Sequence, residues 1–495
     1  MAAFAAVVLP TLVAYNIPPS ATFFNQAAAF VGWGGFLLCL GALLSRDAWP
    51  RSSASLAVLA AFALLVVLAL ASTLFDASPW SLTLSTSGTL LGAALTFVVA
   101  GAAARSGLAE DAFRAFCIAL VIAGVASSLI GLVQVFAPTL PDGSWVALPA
   151  LPGRASGSLR QPNHLSSILL WSIVATAWLG ETRMLRREVG WALILVFVYV
   201  IVLSASRTGA LAMLVLAAWG LVDRRLSIGT RRMLMLAPIV YGACWWGMAE
   251  WAAASHHLFG GQTRFGGSGD ISSSRFGIWS NTLSLIASHP WFGVGFGEFN
   301  FAWTLTPFPH RPVAFFDHTH NIVLNFLVEF GVPLGLLVTT LLAFALWKAF
   351  ENARVDGKDG SPGRAPVRRA AFVIVFMVGV HSMLEYPLWY AYFLLPAVFA
   401  FGLCLERPAA AGAVATSPAS TRGTRPLVLA SMVLMLGGML AFYDYSRVAV
   451  IFSPGPGAGP LAERIAEGRR SVLFAHHADY AAATVAAHPG KVMSA

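Results

Sequence analysis

ASLAVLAAFALLVVLALASTLF, residues 54–75, carries no charged side chain over 22 positions. A helix of that length, rising about 1.5 Å per residue, is long enough to cross a hydrocarbon core of about 30 Å. Comparable apolar runs lie near 2–15, 24–44, 83–103, 112–136, 163–180, 189–204 and 208–222. They continue near 232–252, 320–349, 370–386, 388–405 and 426–444. The expected fold is all-α, a polytopic transmembrane bundle of about 12–13 spans. Composition agrees: 58% of the 495 residues are hydrophobic and 11% charged, against about 25% charged in soluble domains. A net charge of +9 is compatible with nucleic-acid binding, but 16 Trp and 34 Phe beside so few charges argue against it. The four cysteines (Cys39, Cys117, Cys244, Cys404) fall within apolar runs without metal-type spacing and read as small buried hydrophobes. MAAFAAVVLPTLVAY has no basic region ahead of its apolar stretch, so it reads as a retained first span rather than a signal peptide.

Charge orients the spans. With the amino terminus inside and the loops alternating, the inside loops hold twenty Lys and Arg and the outside loops six. Basic residues stay on the cytoplasmic side of a membrane, so this bias predicts a multi-pass inner-membrane protein. Its division is 1–252 amino-terminal helices, 253–319 a large periplasmic loop, 320–446 carboxy-terminal helices and 447–495 a short periplasmic tail. Inside segments 351–369 and 407–425 read as flexible linkers. The long segment 253–319 mixes Gly-rich stretches with Trp, Phe and Pro and reads as a loop without regular structure, often a mark of function.

Six arginines oppose the charge bias: Arg154, Arg160, Arg207, Arg264, Arg275 and Arg311. A guanidinium is a planar fork suited to phosphate, although single arginines also snorkel to headgroups. FDHTHNIVLNFLVEFGVPLG, 316–335, places Asp317, His318, Thr319 and His320 at the mouth of a span. Asn321, Asn325 and Glu329 follow at steps of four, on one helical face, and Gly331 with Pro333 predicts a kink. A histidine here can take a proton from a hydroxyl, or cap the helix. A zinc site from His318 and His320 lacks a third ligand. His381 and Glu385 in HSMLEYPLWY are four apart, which suits a carboxylate orienting an imidazole or a plain ion pair. Gln161, Asn163 and His164 open the sixth span after Pro162, to bind sugar hydroxyls or to satisfy the helix start. No Gly-rich phosphate loop of the ATP-binding kind occurs, and the outside loops near the first spans lack an Asp-x-Asp pair.

These motifs resemble the bacterial O-antigen ligase superfamily, most of all its branch of protein O-oligosaccharyltransferases (the PglL type). GRASGSLRQPNHLSS (153–167) resembles that branch's Gln-Pro-Asn-His element. SASRTGAL (204–211) and SSSRFGIW (272–279) resemble two arginine motifs. HTHNIVLNFLVEFGVPLG (318–335) resembles the histidine motif, followed by HSMLEYPLWY (381–390) and a tail opening DYSRVAVI (444–451). The resemblance implies a GT-C-like membrane enzyme, independent of metal or other cofactor, that moves a glycan from undecaprenyl diphosphate to a hydroxyl at the periplasmic face. It implies that Arg207 and Arg275, together with Arg160, bind the pyrophosphate and that His320 is the base, with inversion at the anomeric centre. Asn321 and Asp317 would orient that base, and Arg160, Gln161, Asn163 and His164 would line the site. His318, His381 and Glu385 would support it. The acceptor would be Ser or Thr of a pilin-like or other exported protein. Lipid A–core (an O-antigen ligase) or a second lipid-linked glycan (a polymerase) are alternatives. A lipid-linked glycan transporter is the reading from another class; it predicts paired repeats and charges deep in the spans. The tail is shorter than in many relatives, with room for two amphipathic helical segments over 461–487.

Overall fold

The computed structural model describes residues 1–45, 48–75, 78–265, 274–312, 316–355, 367–408 and 424–485, with the side chains of 75 and 263–265 outside the description. Among the described residues there are helices and no strands. They run α1 (Ala2–Leu12), α2 (Phe23–Gly41), α3 (Ser53–Phe75), α4 (Trp80–Arg105), α5 (Ala109–Phe136) and α6 (Pro162–Glu181). Then come α7 (Arg187–Ser204), α8 (Arg207–Val222), α9 (Ile228–Ser255), α10 (Gly260–Phe265), α11 (Arg275–Ser288) and α12 (Phe299–Leu305). The last six are α13 (Ile322–Val355), α14 (Val367–Ser382), α15 (Ala391–Leu405), α16 (Arg425–Phe452), α17 (Leu461–Gly468) and α18 (Ala475–Val485). Seven of these, α2, α3, α4, α5, α7, α13 and α16, are long and apolar enough to cross a membrane, and α1, α8 and α15 are shorter apolar helices. The chain is therefore a multi-pass helical membrane protein, with a helix at each of the thirteen apolar runs.

The polar contacts gather at two opposite ends of the bundle, and the loops alternate between them. At one end Glu406 Oε1 accepts from the amides of Arg51 and Ser52 and from Ser55 Oγ, at 3.0, 2.9 and 2.8 Å. On that side, too, Arg369 bonds Asp223, and Ser227 Oγ bonds Glu181. At the other end Arg154 donates to Ser204 O, Arg160 to Ala14 O, and Arg275 to Glu385. Helices α6, α9 and α14 fall short in length or hydropathy, yet each joins one polar end to the other. Arg46, Lys358, Arg364 and Arg422 lie outside the described residues, as do residues 356–366 and 409–423 of the expected linkers 351–369 and 407–425 and the side chain of Arg264. The described ends of the first linker, 351–355 and 367–369, are helical, in α13 and α14.

Three expectations change. The described residues of segment 253–319 are not without regular structure: they include α10, α11 and α12. Ile278, Thr282, Leu285 and Ile286 repeat at helical spacing and bury one face of α11 beside Val328 of α13. Gly- and Pro-rich flanks hid that period. Of the cysteines only Cys117 and Cys404 are buried; Cys39 is exposed and Cys244 half-buried, because an all-apolar helix has an outward face too. The eleventh span ends at Ser382 rather than 386, and Glu385 stands beyond it.

The kink in α13 is a true break at Gly331 (φ 77°, ψ 168°). Pro333 has no N–H for Glu329 O, and Val332 N turns away to Pro290 O at 2.7 Å. The two carbonyls left over are met by Val294 N to Val328 O at 2.8 Å and Gly295 N to Glu329 O at 3.1 Å. Buried backbone groups need such partners, so segment 290–295 is stitched into the helix it interrupts. The tail packs on the same end: Tyr445 stacks on Phe23 at 3.7 Å, and its hydroxyl donates to Ile17 O. Helices α17 and α18 occupy the region where two helical segments are expected.

Candidate functional site

Four helices start at one place, and each start is built alike. A residue in the left-handed region precedes or forms the cap: Arg160 (φ 57°) before α6, Ala205 (50°) before α8, Ser274 (65°) at α11 and His320 (56°) before α13. The caps themselves are local. Gln161 Oε1 accepts His164 N at 3.0 Å, Ser206 Oγ accepts Gly209 N at 3.0 Å, and Asn321 Oδ1 accepts Val323 N at 3.0 Å. A left-handed residue without a glycine is uncommon, and several at one place mark a backbone held by its surroundings. The arrangement aims the positive ends of four helix dipoles at a shared region, which favours an anion.

Glu385, past the end of α14, ties these starts together. Its Oε2 is 2.8 Å from His320 Nδ1. Its Oε1 accepts from Asn163 Nδ2 at 2.8 Å and from Arg275 Nη2. Arg275 Nε donates to Leu384 O at 2.7 Å. Asn163 Oδ1 in turn accepts from Ser206 Oγ at 2.7 Å, so the element before Arg207 is joined through one amide. Burial works against the charge of Glu385. The hydrogen bond and positive potential from His320, then Arg275 and His381, outweigh it and hold the carboxyl at about 2. An ionised carboxylate can only accept, so His320 Nδ1 carries the proton of that bond, and in the neutral ring Nε2 is the nitrogen left to take one.

The sequence-derived assignments divide accordingly. Asn163, Arg275, His320 and Glu385 are brought into mutual contact, and Arg207 opens α8 directly after Ser206. Asp317 and Asn321 do not orient His320, as the resemblance implied they would. Asp317 stands 4.0 Å from His318, and Asn321 is spent on capping α13 and on Met383 O at 3.2 Å. The orienting contact comes from Glu385, which hydrogen-bonds His320 and not His381, its neighbour four residues back. His381 instead lies buried with Nδ1 at 2.8 Å from Ser167 Oγ. Gln161 serves the helix start, the blander of its two readings. His164 is buried, with Nδ1 at 3.2 Å from Tyr392 Oη and its ring beside Tyr390. Arg160 Nη2 is held by Ala14 O at 2.8 Å. His318 packs on Tyr386 and Trp389 at 4.4 and 4.9 Å. Burial pushes its imidazole down to about 4, with Asp317 pulling partly the other way. Of the remaining outside arginines, Arg154 is buried on Ser204 O, and Arg311 donates to Thr304 O. Residues 272–273 of the second arginine motif lie outside the described residues.

Ser206 is the member that sequence reading missed. The serine directly before an arginine at a helix start is an N-cap signal, but nothing local says that its hydroxyl also reaches Asn163.

The comparisons agree with the class this arrangement suggests. Residues 192–339 match the family described as O-antigen ligase, 155–179 match protein glycosylation ligase, and 369–492 match virulence factor membrane-bound polymerase, C-terminal. The resemblance read from the motifs is thus borne out. Among individual proteins, the chain is similar to a general O-oligosaccharyltransferase of Acinetobacter baylyi, 26% identical over 388 residues, covering 73% of this chain. It is also similar to a ComP-specific O-oligosaccharyltransferase of that organism, 24% identical over 254 residues and 50% of this chain. The chain spans 61% and 44% of the length of these two relatives.

Proposed function

We propose that this protein is an oligosaccharyltransferase of the inner membrane. It takes a glycan en bloc from undecaprenyl diphosphate at the periplasmic face and places it on Ser or Thr of exported proteins. The observation that carries this reading is the bond from His320 Nδ1 to Glu385 Oε2, on a carboxylate also held by Arg275 and Asn163.

In the proposed reaction the acceptor hydroxyl gives its proton to His320 Nε2 while its oxygen bonds the anomeric carbon from the face opposite the leaving group. The carbon–oxygen bond to the diphosphate breaks, and the diphosphate leaves with the electron pair. Arg207, Arg275 and the four helix starts stabilise the charge that grows on it. Glu385 keeps the imidazole in the tautomer that can accept. The resemblance supports chemistry without metal or nucleotide. Aromatic and buried groups around His164, His318 and His381 shape the wall behind the base.

An O-antigen ligase with lipid A–core as acceptor is the second reading, favoured by the family match over 192–339. A polymerase would use the same donor logic and draws on the match over 369–492. A transporter is disfavoured because the polar cluster sits at the ends of its helices, where it would face one side only. The test offers purified protein an undecaprenyl-diphosphate glycan with a pilin-like protein or lipid A–core in separate reactions, without added metal or ATP. Glycan on the protein supports the first reading, glycan on lipid alone the second, and transfer to neither overturns both.

A further inference from the structure

Helices α11 and α12 bury one apolar face against α13, but their other face is apolar as well. Phe276, Leu283, Trp291, Phe292, Phe301 and Leu305 are all exposed, Phe292 at 84% and Trp291 at 70%. On α11 the outward positions Phe276, Ser280, Leu283, Ser284 and Ala287 follow helical spacing and include no charge. From Phe276 to His310 the one Asp, Glu, Lys or Arg is Glu298, and it accepts a hydrogen bond from Ser78. The same 35 residues hold nine Phe and Trp. A loop standing in water carries charges; an exposed apolar face this continuous has a partner.

The break in α13 says which partner. Pro290 O is bonded to Val332 N, and a Cβ on Gly331 would come within 2.3 Å of Trp291 O, so Trp291 and Phe292 lie at the level of Gly331. From Gly331 to Lys348, at the other end of the span, a helix rises about 25 Å, close to the roughly 30 Å of a hydrocarbon core. Gly331 therefore stands at its outer boundary, where Trp and other amphipathic rings collect. Leu336 and Leu337, one turn further along α13, are exposed as well.

We propose that segment 275–305 is an interfacial element, with Phe276, Leu283, Trp291, Phe292, Phe301 and Leu305 embedded in the headgroup–acyl boundary of the outer leaflet. It does not project into the periplasm. The embedding rests on geometry and composition alone. Its consequence rests on the proposed function: Arg275 and His320 then face the headgroup layer, the depth at which a membrane-held diphosphate lies.

The test reads depth and not transfer, so it stands or falls apart from the enzymatic reading. The full chain, with Cys39→Ala and Cys244→Ala, is reconstituted in phosphatidylethanolamine–phosphatidylglycerol vesicles. Spin labels are placed singly at Leu283→Cys, Phe292→Cys and Leu305→Cys, with Glu463→Cys on α17 as the water-facing reference. Collisions with oxygen are expected to exceed those with a water-soluble nickel chelate at the first three positions, and the order to reverse at the fourth. Nickel-dominated collisions at the three positions overturn the proposal. So does shielding that grows with the protein-to-lipid ratio, which would assign the face to a second copy of the chain.

Discussion

Nδ1 of His320 and Oε2 of Glu385 are 2.8 Å apart although 65 residues separate them in the chain. The pair joins the entrance of α13 to the exit of α14 and fixes the direction of the imidazole that the proposed reaction uses as its base. Glu385→Gln leaves the shape but lets an amide N–H face Nδ1, favouring the wrong tautomer. Transfer is expected to fall by about 10²–10⁴-fold, as for loss of a general base or of the group that sets it. His320→Ala is expected to fall as far. Both variants are measured as initial rates of glycan transfer beside their melting temperatures, and full rate in either would remove the dyad from the mechanism.

Arg207→Lys keeps a positive charge and loses the fork. If the guanidinium grips a diphosphate, the KM for donor is expected to rise about tenfold, with kcat changed less, the cost of one or two charge-assisted hydrogen bonds. Steady-state kinetics over donor concentration decide it. An unchanged KM would leave Arg207 outside the donor site.

Asn163→Ala removes the amide between Glu385 and Ser206. A buried carboxylate oxygen and a buried hydroxyl each lose a partner, at about 1–3 kcal/mol. Asn163→Asp is expected to be worse, because it sets a second carboxylate beside the first. Thermal unfolding of the two variants should rank them in that order.

The imidazole of His318 is held at about 4 by burial, below its ordinary 6.5. Between those values the unfolded chain binds the proton more readily, so the stability due to neutral His318 is complete above 6.5 and declines as pH falls toward 4. His318→Gln is expected to lose less melting temperature than the parent over that window. Equal losses would show that His318 does not sense it. Glu385, held at about 2 in the fold, returns to its ordinary 4.5 in the unfolded chain, so it adds a loss of stability as pH falls below about 5.5 that parent and variant share.

Gly331→Ala places a Cβ 2.3 Å from Trp291 O at a backbone angle that alanine resists. A loss of about 1–3 kcal/mol is expected, read by unfolding in detergent, together with faster proteolysis between residues 289 and 297. A variant as stable as the parent would mean that the stitched break relaxes easily.

Much was legible in residue order because the forces behind it are local. A bilayer demands about twenty apolar residues per crossing, so 54–75 announces a span by itself, and the arginine bias sorts the loops. Pro333 after Gly331 predicts an interrupted helix without reference to any neighbour. Gln161 reads as a helix-start residue, because a cap reaches only three residues along its own chain. The pairing of charged groups is another matter. His381 and Glu385, four apart, looked like partners by helical spacing, but α14 ends at Ser382 and frees the glutamate to turn toward His320. The amide of Asn163 and the hydroxyl of Ser206 meet only because α6 and α8 pack side by side, and α11 acquires its two faces only when one is laid on α13. Residue order therefore determined the helices, through burial and hydrogen bonds made within a few residues. Which imidazole the one shared carboxylate would hold was decided by tertiary structure, since such a contact depends on how separate helices pack and on no spacing within either of them.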